Sequence, residues 1–208
     1  MSVAAAPVRL HRALPPEEAA RGDLYALLAR LFHHGADAEL LGALASADPM
    51  AAEGDVALAK AWDALVRASS AMDEDAAGAE FDTLFVGIGK APVSIYAGYY
   101  LGAIALDHPR VRLQADLEAF GLERRERAQP EDHFATLFDV MRVLVAGGAG
   151  REPSAVAEQK RFFQAYLERG ALKFFEAVIA SDQANYYRTV AALGVAFMAI
   201  EAESLDLD

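Results

Sequence analysis

The 208-residue sequence contains no cysteine. That excludes disulfides, thiol nucleophiles, iron–sulfur ligation and cysteine-based zinc sites. Tryptophan occurs once, and bases are scarce: 19 Lys and Arg stand against 31 Asp and Glu, a net charge of −12. A surface that neutralises the phosphates of DNA or RNA is therefore not expected. Long apolar runs are missing too. The longest, 190–200, has eleven residues, whereas a membrane span needs about 20. Residues 1–23 hold Arg9, Arg12 and Arg21 but no continuous apolar stretch of the kind a secretory leader carries. The chain reads as a cytoplasmic protein without stable membrane insertion. No segment alternates apolar and polar residues for long enough to be a strand, and no repeat marks a solenoid.

What is present points to helices. Hydrophobic residues make up 54% and charged residues 24%, enough to bury a core rather than remain disordered. Alanine, the best helix former, occurs 46 times. Residues 1–16 read as a mobile N-terminal arm. After Pro15-Pro16, Leu24, Leu27, Leu28, Leu31 and Phe32 form one apolar stripe at helical spacing. Further helices are expected at 37–46, 55–70, around Phe81 to Phe85, and at 96–106 with burial on most sides. An acidic turn is expected at 72–78 and a loop at 87–92. A helix at 111–120 should end on Gly121, a left-handed cap. Pro130 should start the next helix, and two long helices should follow at 154–180, bent at Gly170, and at 182–203. The expected fold is all-α and bundle-like, with eight to ten helices. A hinge at 121–130, or alternatively the Gly-rich stretch 146–150, would separate helical subdomains at 17–128 and 129–208.

Several residue groups could carry chemistry. Gly87-x-Gly89-Lys90 lacks the spacing of a phosphate loop: Leu84 stands where the first Gly is needed and Ala91 where a hydroxyl is needed. It reads as a helix-to-helix loop requiring positive φ or as a binding loop. In Gln129-Pro130-Glu131-Asp132-His133, Pro and acids suit a helix start, with Asp132 satisfying free amides. Alternatively, a carboxylate there holds a cation or steers an imidazole that changes charge near neutral pH. His33 and His34 are adjacent and should face apart, so they form no single chelate, and no metal site is expected. Tyr96, Tyr99 and Tyr100 read as core residues with hydroxyls at the rim, or as pocket lining. Ser94 reads as a helix cap. No catalytic nucleophile–base arrangement is present, and residue chemistry alone describes an acidic, all-helical binding protein.

Two segments resemble a known family. Glu80-Phe81-Asp82-Thr83-Leu84-Phe85-Val86-Gly87, followed by Pro92, Ser94 and Tyr96, is similar to the aromatic-x-x-Leu-Phe-x-Gly segment of the TorD/DmsD/NarJ family. Pro130-Glu131-Asp132-His133-Phe134, then Leu137 and Met141, resembles its Glu-Pro-(Glu)-Asp-His signature. The stripe from Tyr25 to Phe32, the pairs Phe162-Phe163 and Phe174-Phe175, and Tyr186-Tyr187-Arg188 extend the likeness over about residues 20–203. Gln129 stands where the family usually has Glu, and Tyr166 and Gly170 stand where it has His and Trp.

The resemblance implies the TorD/DmsD fold, with two helical subdomains hinged near the signature. It implies a cytoplasmic chaperone rather than an enzyme. Such a chaperone binds the catalytic subunit of an apo molybdopterin oxidoreductase, in many cases through its twin-arginine signal peptide, and holds it for cofactor insertion before export. A formate dehydrogenase or a DMSO/TMAO reductase would be the client. The implied site is Gln129, Pro130, Glu131, Asp132 and His133, with Phe85, Gly87, Pro92, Ser94 and Tyr96. No resident cofactor is implied beyond the weak GTP or molybdopterin contact associated with some members. The oligomer is a monomer or a domain-swapped dimer. The charge of −12 suits attraction of arginines. Burial of roughly 300 Å² of an apolar segment, at about 7 kcal/mol before binding entropy, should dominate affinity. The alternative is a helical ligand- or nucleotide-binding regulatory module. For a DNA-binding regulator the basic stretch would be 110–128, where acids nearly balance the bases.

Overall fold

The computed structural model describes residues 14–50, 54–87, 90–102, 109–122, 130–148 and 150–207. The structure is all-α, with no strand among the described residues. Most of the arm at 1–16 lies outside them. α1 (Pro16–His33) opens on Pro15-Pro16, with Glu17 and Glu18 meeting the positive end of its dipole. α2 (Ala38–Ala45), α3 (Val56–Ala71) and α4 (Glu74–Phe81) each start on an aspartate. Asp37, Asp55 and Asp73 accept the amides of Leu40, Leu58 and Ala76. The acidic run expected to be a turn at 72–78 is therefore mostly the capped first turn of α4. Its acids serve the helix dipole rather than a loop.

A π-helical turn, Asp82–Val86, follows α4 and stops at Gly87. The helix expected at 96–106 is short where it is described: α5 (Ala97–Leu101) halts at Gly102. Tyr99 is 68% exposed, so α5 is not buried on most sides. α6 (Pro109–Ala119) ends as expected. The Gly121 amide donates to Glu118 and the Leu122 amide to Leu117, a Schellman closure that needs the left-handed glycine. Residues 123–129 of the expected hinge, Gln129 among them, lie outside the described residues.

α7 (Phe134–Ala146) begins four residues later than the proline predicted. The expected helix 154–180 is two, α8 (Val156–Phe162) and α9 (Gly170–Ala180), joined through a second π-helical turn, Phe163–Leu167. α10 (Tyr186–Leu207) starts where the Glu80 carboxylate accepts the amides of Asn185, Tyr186 and Tyr187. Three amides on one anion fix that start better than the sequence position 182 could. No described helix is long and apolar enough to cross a membrane.

α1 packs along α7, and α10 packs on α9 and α3. The core is aromatic. The Phe32 ring meets those of Phe85, Phe138, Phe174, Phe175 and Tyr187, and Phe134 stacks on Phe174 at 4.5 Å. Helices from 17–128 and from 129–208 therefore share one core. The most deeply buried charged group among the described residues lies within it. Glu201 on α10 accepts from Arg21 Nε at 2.6 Å and Nη2 at 2.9 Å, and from the Tyr25 hydroxyl at 2.7 Å. Such a bidentate pair ties α1 to α10 and leaves the carboxylate well satisfied.

Candidate functional site

The two sequence motifs, over thirty residues apart, meet in space. The Ala97 amide donates to the Asp132 carbonyl at 2.8 Å, and the Phe134 amide donates to the Ile95 carbonyl at 3.1 Å. This isolated antiparallel bridge sets Tyr96 opposite His133. The segment before α7 thus spends its backbone groups on α5 rather than on an earlier helical turn, which is why α7 starts late.

His133 caps α7. Its Nδ1 accepts the Ala135 amide at 3.2 Å, so that nitrogen carries no proton. Burial, with smaller contributions from His33 and His34, lowers its pKa to about 4, and the ring is neutral. The Tyr96 ring meets it edge-on at 5.5 Å. Asp132 does satisfy a free amide, but not one of its own helix. Its Oδ2 accepts from Gly98 on α5 at 3.2 Å. A Cβ on residue 98 would sit 2.9 Å from that oxygen, so the approach requires glycine.

Two residues on α6 complete the cluster, and the sequence reading missed both. Arg110 lies 3.5 Å from Asp132 Oδ1 through Nε and 3.4 Å from Glu131 Oε2 through Nη2. Gln114 donates to Glu131 Oε1 at 3.2 Å. Glu131, Asp132 and His133 are all buried, while Pro130 is half-buried. One signal was available: Arg110 is a cation in the first turn of a helix, where the dipole disfavours it. A charge in that position invites a search for its partner.

The remaining candidates are spread more widely. Ser94 does not cap α5, whose flanking residue is Tyr96. The Ser94 Oγ accepts the Tyr96 amide at 3.4 Å, and its carbonyl accepts the Tyr100 hydroxyl at 2.8 Å. Phe85 is core, packed among Phe32, Phe81, Phe174 and Tyr187. Gly87 and Pro92 line another groove, of about 620 Å³, with Asp82, Thr83, Lys90 and Gln183. His33 and His34 do not face apart. Their rings are 3.8 Å from each other, because α1 ends between them and His34 leaves helical geometry. No group of three or more metal-ligating side chains occurs among the described residues.

The structure also shows an apolar groove of about 420 Å³ between α1, α2 and α3, bordered by Leu24, Leu27, Leu40, Leu44, Met50 and Trp62. Among the described residues, no nucleophile–base pair occurs at the α5–α7 junction. The molecule offers buried carboxylates that a guanidinium already contacts, exposed tyrosines beside them, and an apolar trough elsewhere on the helical surface.

An all-helical domain with this junction belongs to a defined class. The family model of the nitrate reductase delta subunit matches residues 51–176, and the chain belongs to that family, the TorD/NarJ group of chaperones. Chaperone protein TorD of Shewanella loihica is 25% identical over 200 residues, covering 91% of this chain and 95% of that protein.

Proposed function

We propose that this protein is a dedicated chaperone of a molybdopterin oxidoreductase, and not itself an enzyme. It binds the apo catalytic subunit in the cytoplasm through the twin-arginine signal peptide and holds it until the cofactor is inserted. A formate dehydrogenase or a DMSO/TMAO reductase fits as the client. The observation that carries this reading is the joining of the two family motifs at the Tyr96–His133 bridge, with Glu131 and Asp132 held beside it. Carboxylates of that kind complement arginine, which offers a planar fork of donors. The net charge of −12 raises the encounter rate with a basic peptide. Apolar contact supplies the rest of the affinity, since much of the attraction of a buried ion pair is offset by the cost of desolvating it.

The junction serves as the recognition site, with Tyr96 as its exposed edge and Phe85 supporting it only through the core, where it meets Phe174. The test is capture of the apo catalytic subunit of a candidate client by the immobilised full chain, with and without the client's leader. Leader-dependent capture, accompanied by higher molybdenum content in the released enzyme, is the expected result. Failure to retain any molybdopterin enzyme subunit, together with no binding of twin-arginine peptides in calorimetry, overturns the reading.

A further inference from the structure

The chain has 11 Phe, 7 Tyr and one Trp. Among the described residues only two of these aromatic side chains are exposed, Tyr99 at 68% and Tyr96 at 39%. Both stand at the α5–α7 junction, three residues apart, where the Tyr99 amide donates to the Tyr96 carbonyl at 3.2 Å. We propose that these two rings, Tyr99 foremost, form a platform on which one guanidinium of the twin-arginine peptide stacks. The inference rests on the twin-arginine reading above and goes beyond it by making Tyr99 a specificity-determining residue.

Four observations carry it. First, the hydroxyls of Tyr25, Tyr100, Tyr166, Tyr186 and Tyr187 each bond to a protein group. Those of Tyr96 and Tyr99 bond to none among the described residues, so no internal hydrogen bond explains why these rings are tyrosines. Second, the segment that presents them is pinned. The Ala97 and Gly98 amides donate to Asp132, the Tyr100 hydroxyl to the Ser94 carbonyl, and the Phe134 amide to the Ile95 carbonyl. Each exposed ring also meets a neighbour edge-on, Tyr96 with His133 at 5.5 Å and Tyr99 with Tyr100 at 5.0 Å. Tyr100 in turn meets Phe134 and Phe174 of the core. A ring held in place loses little freedom when a ligand covers it, and such tyrosines are efficient contact residues.

Third, charge selects the occupant. A net charge of −12 attracts a cation to this surface, and the negative face of a tyrosine ring receives one. A guanidinium, flat and weakly hydrated, stacks there better than an ammonium. Fourth, the spacing matches. Gly98, whose amide holds the Asp132 carboxylate, directly precedes Tyr99. The two features are therefore anchored one residue apart, about 3.8 Å along the chain, and so are consecutive arginines. One arginine can face the acids while its neighbour covers the ring.

The test is a double-mutant cycle by calorimetry on the full chain. One synthetic peptide carries two consecutive arginines before an apolar stretch, and in two others the first or the second arginine is replaced by glutamine. Tyr99→Leu keeps an apolar side chain but has no π face, and it is expected to bind the twin-arginine peptide about three- to tenfold more weakly than wild type. Tyr99→Phe keeps the face and should stay within about twofold of wild type. With the peptide that lacks the stacked arginine, the loss caused by Tyr99→Leu should vanish. Because Tyr99 is largely exposed, neither substitution threatens the fold.

Unchanged binding by Tyr99→Leu overturns the platform. An equal loss with all three peptides assigns the contact to the apolar stretch and overturns it as well. So does a loss in Tyr99→Phe as large as that in Tyr99→Leu, which would assign the contact to the hydroxyl. In each of these cases wild type still binds the peptide and the twin-arginine reading stands. No binding of the twin-arginine peptide by wild type overturns both.

Discussion

Glu201 and the Glu131–Asp132 pair are both buried acids that meet an arginine, and they meet it in opposite ways. Arg21 reaches Glu201 at 2.6 and 2.9 Å through two nitrogens, and its side chain is 13% exposed. Burial opposes its charge, but the hydrogen bond and charge of Glu201 outweigh that and raise its pKa above the ordinary value. Burial and the neighbouring Glu201 likewise keep the proton on Tyr25, which donates it to the same carboxylate. Both carboxylate oxygens have partners, and the pair joins the first helix to the last. Arg110 instead meets Glu131 and Asp132 at 3.4 and 3.5 Å, with its side chain 45% exposed. The same chemistry is closed to water where both partners are buried and bidentate, and reached by water where the guanidinium is half exposed. The first site ties the fold together, and the second is the one proposed to meet the client.

The largest effect that separates them is on stability. Arg21→Gln leaves Glu201 as a charge with no counter-ion in the core, which costs about 3–5 kcal/mol. For a chain of this size that is a fall of about 10 °C in Tm. Replacing the whole group, with Arg21→Met, Tyr25→Phe and Glu201→Leu together, should recover most of the loss, since no buried charge remains. Thermal and urea unfolding check both. If the triple variant is no more stable than Arg21→Gln, the group is held by packing that the ion pair only accompanies.

The next effect belongs to the second site and depends on pH. His133 has its pKa lowered from 6.5 to about 4, so the folded state favours the neutral ring. Its contribution is whole above pH 6.5. As the pH falls from there to about 4, the unfolded chain takes up the proton first and stability drops, by at most about 3 kcal/mol for this group. Below the folded pKa both states are protonated and the loss is complete. His133→Asn keeps a capping acceptor but does not titrate. Urea unfolding at pH 7 and pH 5 should therefore show a steeper loss for wild type than for the variant. Parallel losses would mean that the ring is already reached by water at this junction.

These contrasts show what could be read from the sequence and what could not. The helical stripes were legible because the 3.6-residue period of Leu24 to Phe32, or of Phe134 to Val145, is local information. The Schellman end at Gly121 was legible for the same reason. The acidic run at 73–75 was misread because acids suit a solvated turn and a helix N-terminus equally well, and only the Asp73 cap decides. The π-helical turns left no mark, since 82–86 and 163–167 keep the same apolar residues as the helices they interrupt. Tyr96 and His133 were each singled out, but their pairing is tertiary. Arg110 was passed over because a charge on a helix ordinarily reads as a solvated face.

A smaller effect probes the backbone of the proposed recognition site. In Gly98→Ala the new Cβ would stand 2.9 Å from Asp132 Oδ2. The carboxylate must withdraw and the Gly98 amide loses its acceptor, which costs about 1–2 kcal/mol. Peptide affinity should fall with it, because Asp132 no longer faces Arg110's position. Unfolding and calorimetry on the same variant check the two together. A variant that keeps wild-type stability and affinity would show that α5 shifts freely and that the Tyr96–His133 bridge alone positions the acids.

The smallest effect is the direct counterpart of the largest. Arg110→Gln removes a guanidinium from two buried acids, as Arg21→Gln removes one from Glu201. Yet the expected cost is only about 1 kcal/mol, because the guanidinium is half exposed and water can take its place beside the acids. Glu131 keeps Gln114, Asp132 keeps the Gly98 amide, and the first turn of α6 loses a charge its dipole opposed. Measured in the same urea series, the two substitutions should differ severalfold in cost. If Arg110→Gln destabilises as much as Arg21→Gln, the second site is a structural clamp like the first, and a client arginine could enter only by unfolding the junction. If it costs little, Gln114, the Gly98 amide and water hold the acids without Arg110, and the carboxylates remain in place to meet another cation.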